Sequence, residues 1–156
     1  MDTPEVLEVV AHSVTAVLSA WLGFTVVTRS ASPPARIFGF VALAIAVWST
    51  TVIVDRLSSV EEAKTFSRGV GELLAAFVIA GTAHLSLAIA TEGHPSSRRR
   101  WIVASLYALN IVFAMPTILD PTLSPPHLTA AGEPEAVVFG WAWVALRLST
   151  LSLGAA

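Results

Sequence analysis

Five apolar runs separated by short polar segments dominate the chain, and this alternation predicts an all-α membrane protein. The runs cover about residues 6–28, 37–54, 69–91, 101–119 and 136–156. Four have about 18–20 uncharged residues, enough to cross about 30 Å of hydrocarbon as helices. The alternating ten-residue segments of a transmembrane β-barrel are absent. The sequence therefore predicts one integral membrane domain over residues 1–156, a polytopic transmembrane helical bundle of four to five membrane-spanning helices.

Composition strengthens this prediction. Hydrophobic residues make up 54% of the 156 residues and charged residues only 13%, about half the charged fraction of an average soluble domain. The acidic N-terminus lacks the basic region of a secretory signal, so we expect the first apolar run to be retained as a span. The chain has no cysteine, which excludes disulfides and thiolate metal sites.

Two local signals refine the expected helix ends. Ser59 and Glu62 have the spacing of a capping box, in which the serine caps a helix and the glutamate bonds back. This spacing predicts that the third helix begins near Val60, outside the membrane. Pro116 lies in the last turn of the fourth run and predicts a bend or an end there.

Basic residues in the connecting segments predict the orientation, because they favour the cytoplasmic side. Five basic residues lie on one predicted side, after the first run or before the fourth: Arg29, Arg36, Arg98, Arg99 and Arg100. Three lie on the other side, after the second run: Arg56, Lys64 and Arg68. We therefore expect a multi-pass protein of the inner (cytoplasmic) membrane with its N-terminus outside. Arg98, Arg99 and Arg100, the arginine triplet, and Trp101 would anchor the chain among membrane lipids at the headgroups.

Arg147 is a charged residue inside the fifth predicted span. It lies about eleven residues into the run 136–156, and a lone arginine there costs about 2.5–3.5 kcal/mol on insertion scales. One interpretation is that Arg147 pairs with an acidic group of a partner helix or lines a polar cavity. The other is that its side chain extends to the cytoplasmic headgroups while the helix tilts.

His12 and His84 are the two histidines within predicted helices, and each is a candidate axial ligand of a pigment or haem. They lie at opposite depths of parallel spans, about 15 Å apart along the membrane normal, so each could serve only singly. The alternative is a hydrogen-bonded histidine between helices, with Thr82 or Ser86 beside His84. Apart from such a pigment or haem, we expect no cofactor and no metal site.

Small residues recur along the third run. Gly71 with Ala75, and Ala76 with Ala80, have the small-xxx-small spacing that lets helices approach closely. This pattern is typical both of a docking face for a partner and of ordinary packing within a bundle.

The remaining polar residues do not form a catalytic set. No nucleophile with a base, phosphate-binding loop or midplane acid is present, so we expect no enzymatic activity. Asp55, Arg56 and Glu72 lie at one predicted level, and we expect an interfacial ion pair or a helix cap there.

Five short motifs follow one another from the second run to the fourth. They are ALAIAVW at 42–48, EEAKTFSR at 61–68, HLSLAI at 84–89, RRRWI at 98–102 and LYAL at 106–109. In this order they resemble the N-terminal membrane region of seven-transmembrane-type sensor histidine kinases. Such kinases continue to a phosphoacceptor histidine and an ATP-binding domain, whereas this sequence stops at Ala156. We therefore expect a fragment or a detached sensor region that has no kinase activity.

The sequence favours a non-enzymatic multi-pass module, sensor-like or a small accessory subunit docked in a larger membrane assembly. Other transmembrane subunits would be its partners, and nucleic acid would not. One alternative is an accessory subunit of a photosynthetic or respiratory complex with a histidine-ligated pigment or haem. A small transporter or channel is the other, although internal repeats and broken helices are absent.

Overall fold

Four α-helices account for nearly all of residues 3–91 and 96–119, which the computed structural model describes. They are α1 (Thr3–Arg29), α2 (Pro33–Leu57), α3 (Glu61–Ala90) and α4 (Ser97–Leu119), with no strand in these ranges. The all-α class is therefore confirmed. The fifth predicted run, 136–156, lies outside the described residues, and so does Arg147.

Three of these helices, α1, α2 and α3, are long and apolar enough to cross a membrane. This finding supports a membrane-embedded protein with at least part of the predicted set of spans. Although α4 has 23 residues, it is not among the three. A fourth and a fifth span therefore stay predictions.

Two helix ends differ from the sequence-based expectation. Val60, not Ser59, is the N-cap residue of α3, and no side chain caps this end. Ser58 satisfies the turn instead, because its hydroxyl accepts a hydrogen bond from the Val60 amide at 3.1 Å. The capping-box prediction was therefore wrong, although the start of α3 was placed within one residue. Pro116 does not end α4, which continues to Leu119.

Consecutive helices supply the main packing contacts: α1 packs on α2, α2 on α3, and α3 on α4. The described helices therefore form a row rather than a closed bundle. The residues buried between them are mostly small, and they include Gly23, Gly39, Ala42, Ala46, Ala76, Ala80 and Gly81. Small side chains let helix backbones come close, which is how helices associate where lipid removes the hydrophobic driving force.

Two glycines bring the backbones of α1 and α2 together. A Cβ added to Gly23 would lie 2.8 Å from the Gly39 carbonyl oxygen, and one added to Gly39 would lie 2.6 Å from Val27 Cγ2. Gly23 precedes the last residue of α1 by six positions, and Gly39 follows the first residue of α2 by six. This symmetry about the turn is the signal in the sequence that would have identified the pair.

Five of the six acidic residues of the described chain lie at one end of the row, where α1 begins, α2 ends and α3 begins. They are Glu5, Glu8, Asp55, Glu61 and Glu62, whereas Glu72 lies about 16 Å further along α3. The three basic residues of this acidic end are ion-paired, Arg56 with Glu8, Lys64 with Glu61 and Arg68 with Asp55. An ion pair near Asp55 is thus present, but its cation is Arg68 of α3 rather than the neighbouring Arg56.

The opposite end of the row, where α1 ends and α2 and α4 begin, carries only positive charge among the described residues. Arg29, Arg36 and the arginine triplet lie there. We call it the arginine end. Within residues 3–91 and 96–119, the two ends therefore differ more sharply in charge than a count of basic residues indicates.

Candidate functional site

Two adjoining cavities lie between α2 and α4 along α3, and we call them together the His84 groove. The part nearer the arginine end, which we call the upper part, has a volume of about 230 Å³. Its lining includes Pro33, Ile37, His84, Leu87, Arg100 and Val103. The lower part has about 490 Å³, and its lining includes Ile37, Phe40, Leu74, Phe77, His84 and Tyr107. Ile37 and His84 line both parts. The larger volume lies in the range of small-molecule sites, about 300–1,000 Å³.

Aromatic contacts position the His84 imidazole. The ring of Tyr107 from α4 meets it edge-on, with the centroids 6.0 Å apart and the planes at 88°. Phe77 in turn packs against the Tyr107 ring, with the centroids 5.9 Å apart and the planes tilted at 51°. Gly81 makes room for Val41 of α2 rather than for Tyr107, since a Cβ there would lie 2.6 Å from Val41 Cγ2 but at an ordinary contact distance, 3.5 Å, from the Tyr107 hydroxyl oxygen.

The two hydroxyls expected beside His84 do not bond to it. The Thr82 hydroxyl donates to the Val78 carbonyl at 2.7 Å, and the Ser86 hydroxyl donates to the Thr82 carbonyl at 3.1 Å. Both bonds stay within α3, because a hydroxyl one turn after a carbonyl reaches it easily. No bond joins either hydroxyl to His84 in the described part of the chain, and the half-buried imidazole faces the groove and Tyr107.

Polarity changes along the groove from its mouth to its interior. Arg100 lies in the first turn of α4 and is exposed. Tyr107 follows two turns later, about 10 Å deeper at the helical rise. His84 precedes the end of α3 by six residues, which places it about 9 Å below that end. The groove therefore passes from a cationic mouth, past an imidazole, to an aliphatic and aromatic interior.

His12 lies at the acidic end, apart from this groove. Its ring meets Trp48 of α2 edge-on at 5.6 Å between centroids. Its Nδ1 atom is buried and has no hydrogen-bond partner among the described residues. Throughout residues 3–91 and 96–119, no group of three or more His, Asp or Glu side chains could hold a metal ion. Ligation of a pigment or haem by His12 or His84 stays a prediction.

The small-residue positions of α3 lie against the chain itself. A Cβ on Gly71 would lie 3.0 Å from Thr51 Oγ1 of α2. Ala76 and Ala80 are 1% and 0% exposed, while Ala75 is half-buried. Three of the four residues thus serve packing within the row, which is one of the two interpretations of the pattern.

The arginine triplet and Trp101 occupy the first helical positions of α4 and are exposed, with Trp101 at 75%. Exposure of these residues suits anchors at the membrane surface. Sequence reasoning missed that Arg100 also lines the His84 groove, and it missed Tyr107. Both roles depend on how α4 is rotated against α3, which sequence spacing alone does not specify.

Comparison with known proteins adds nothing to this site: no family model, curated protein or solved structure matches the chain. The likeness to sensor histidine kinases therefore depends on the five short motifs and stays a prediction. Function must be argued from the groove, the charge distribution and the row of helices.

Proposed function

We propose that this chain is a non-enzymatic multi-pass membrane module that acts by binding another membrane component, as a sensor-like or accessory subunit. The observation that carries the proposal is the His84 groove, an apolar opening between α2 and α4 along α3. Apolar pockets with a few polar groups are the usual binding sites of proteins. The groove holds such groups at His84, Arg100 and Tyr107.

Charge supports an orientation with the arginine end in the cytoplasm. Basic residues near short loops favour that side, and the arginine end has five arginines with no described acidic side chain near them. The three basic residues of the acidic end are occupied in ion pairs. We therefore propose an inner-membrane protein whose N-terminus lies outside.

Two of the three hydroxyl groups within α2, those of Thr50 and Thr51, support a non-catalytic role. The Thr50 hydroxyl donates to the Ala46 carbonyl at 2.9 Å, and the Thr51 hydroxyl donates to the Trp48 carbonyl at 2.7 Å. A hydroxyl nucleophile needs a base within hydrogen-bond reach, and these hydroxyls are bonded to backbone instead. The groove itself joins His84 to aromatic and aliphatic neighbours, which suits binding rather than proton transfer.

Purification in a mild detergent tests this proposal. We expect the chain to elute in a particle larger than one copy, together with at least one other transmembrane protein that mass spectrometry identifies. The matched control is the same membrane sample extracted with sodium dodecyl sulfate, which should separate the components. A stable lone monomer in mild detergent would contradict the subunit role.

A further inference from the structure

We infer that the His84 groove holds one acyl chain of an anionic phospholipid, with the lipid phosphate bound by Arg100. The lipid would come from the leaflet at the arginine end. This inference rests on the proposed function and names a lipid as the membrane component that the groove binds, so that a protein partner would contact the chain outside the groove. Charge, shape and the order of groups along the groove support it independently.

Charge selects the headgroup. Arg100 lines the upper part of the groove, and Arg98 and Arg99 precede it on the same helix. No acidic side chain among the described residues lies at this end to neutralise them. A guanidinium presents a fork of donors that matches phosphate geometry. Anionic and zwitterionic phospholipids share this phosphate, but the three arginines repel the choline cation of a zwitterionic headgroup, so the mouth of the groove fits an anionic headgroup better.

Shape selects an acyl chain rather than a helix. One turn of an α-helix with its side chains, about 10 Å across and 5.4 Å long, fills roughly 400 Å³. The lower part of the groove has about 490 Å³, little more than one turn, so a transmembrane helix does not fit inside it. Phe40, Leu74 and Phe77 line this part, and they match the chemistry of a hydrocarbon chain.

The order of groups follows the order of groups in a phospholipid. Arg100 lies at the level of the phosphate, and His84 lies between the two parts of the groove, where the ester linkages would be. An imidazole N–H can donate to an ester carbonyl there. Tyr107 and Phe77 lie deeper, beside the acyl chain. A free phosphate ion would use only Arg100 and would leave the apolar part empty.

Native mass spectrometry of the full-length protein, delipidated in detergent micelles, tests the inference. Dioleoyl phosphatidylglycerol is the anionic probe, and dioleoyl phosphatidylcholine is the zwitterionic one. We expect one tightly held phosphatidylglycerol, and Arg100→Gln should weaken its binding at least about tenfold, because it removes a direct charge-assisted hydrogen bond to the phosphate. Arg98→Gln removes the same charge from the same helix but lies outside the groove lining, so its loss should not exceed about fivefold, the effect of one nearby surface charge.

A second pair of variants tests the acyl chain. Ala44 lines the lower part of the groove, so Ala44→Phe should reduce lipid retention, whereas Ala20→Phe on the exposed side of α1 should not. Inorganic phosphate should fail to displace the lipid. Equal losses for Arg100→Gln and Arg98→Gln, or equal retention of both lipids, would overturn the inference.

Absence of any bound phosphatidylglycerol would also overturn the inference. The occupant of the groove would then be residues 120–156 or a protein partner. Arg100 is exposed, so its substitution leaves folding intact even if Ala44→Phe does not fold. Loss of lipid binding together with a retained protein partner would leave the proposed function standing. A lone monomer that still holds one phosphatidylglycerol would contradict the subunit role and leave the lipid inference standing.

Discussion

Replacing Gly39 with leucine should separate α1 from α2 and lower the free energy of unfolding by about 1–3 kcal/mol. A Cβ at Gly39 would lie 3.1 Å from the Gly23 carbonyl oxygen and 3.2 Å from the Val27 amide nitrogen. These are backbone atoms, which cannot rotate away as a side chain can. The larger leucine side chain therefore requires the two helices to move apart.

Intrinsic helix propensity opposes this loss, because leucine favours a helix over glycine by somewhat under about 1 kcal/mol. A net destabilisation would thus show that contact between the helices outweighs propensity. Titration of the purified protein from mild detergent into sodium dodecyl sulfate, followed by circular dichroism, measures the change. Ala20→Leu on the exposed side of α1 is the matched control and should have little effect. Equal stability of the Gly39→Leu and Ala20→Leu variants would contradict the glycine contact.

Removing the Asp55 charge should cost more stability than removing the Glu8 charge. Arg68 Nε donates to Asp55 Oδ1 at 2.7 Å, and the two side chains are only 26% and 23% exposed. Arg56 and Glu8 are 3.1 Å apart and 45% and 36% exposed. Breaking a shielded pair leaves a poorly solvated charge behind, so Asp55→Asn should cost about 1–2 kcal/mol after allowance for partial exposure.

Glu8→Gln is the control for this prediction, with an expected cost below about 1 kcal/mol, as is usual for exposed ion pairs. The same detergent titration measures both variants. A double-mutant cycle of Asp55→Asn with Arg68→Gln should be non-additive, because the two residues contact each other. Strict additivity, or equal costs for Asp55→Asn and Glu8→Gln, would show that the Asp55–Arg68 pair stabilises the fold no more than an exposed ion pair does.

Helix existence could be predicted because apolar length is a strong signal, whereas the contacts between helices could not. The starts of α2 and α3 came within a few residues of expectation, since prolines and charges mark them. Serine capping failed at Ser59 because a neighbouring serine made the local bond instead. Several residues can satisfy one helix end, so spacing alone does not decide among them.

The candidate site shows a similar division. His84 was a candidate from its position in an apolar run, but its contact with Tyr107 and the opening beside Arg100 require the packing of α4 on α3. Gly71 was identified from spacing within one helix. Gly23 and Gly39 were missed because their relation lies across a turn, between two helices.

Cysteine accessibility tests the central claim, a multi-pass membrane module with its arginine end in the cytoplasm. The chain has no cysteine, so each single substitution gives a unique thiol. Ser59 lies between α2 and α3, Ser32 between α1 and α2, and Ser96 just before α4, and all three are exposed.

In spheroplasts, a membrane-impermeant maleimide should label Ser59→Cys at once. It should label Ser32→Cys and Ser96→Cys only after the membrane is permeabilised. The reverse pattern would contradict the orientation, and equal labelling of all three sites in intact spheroplasts would contradict a multi-pass protein.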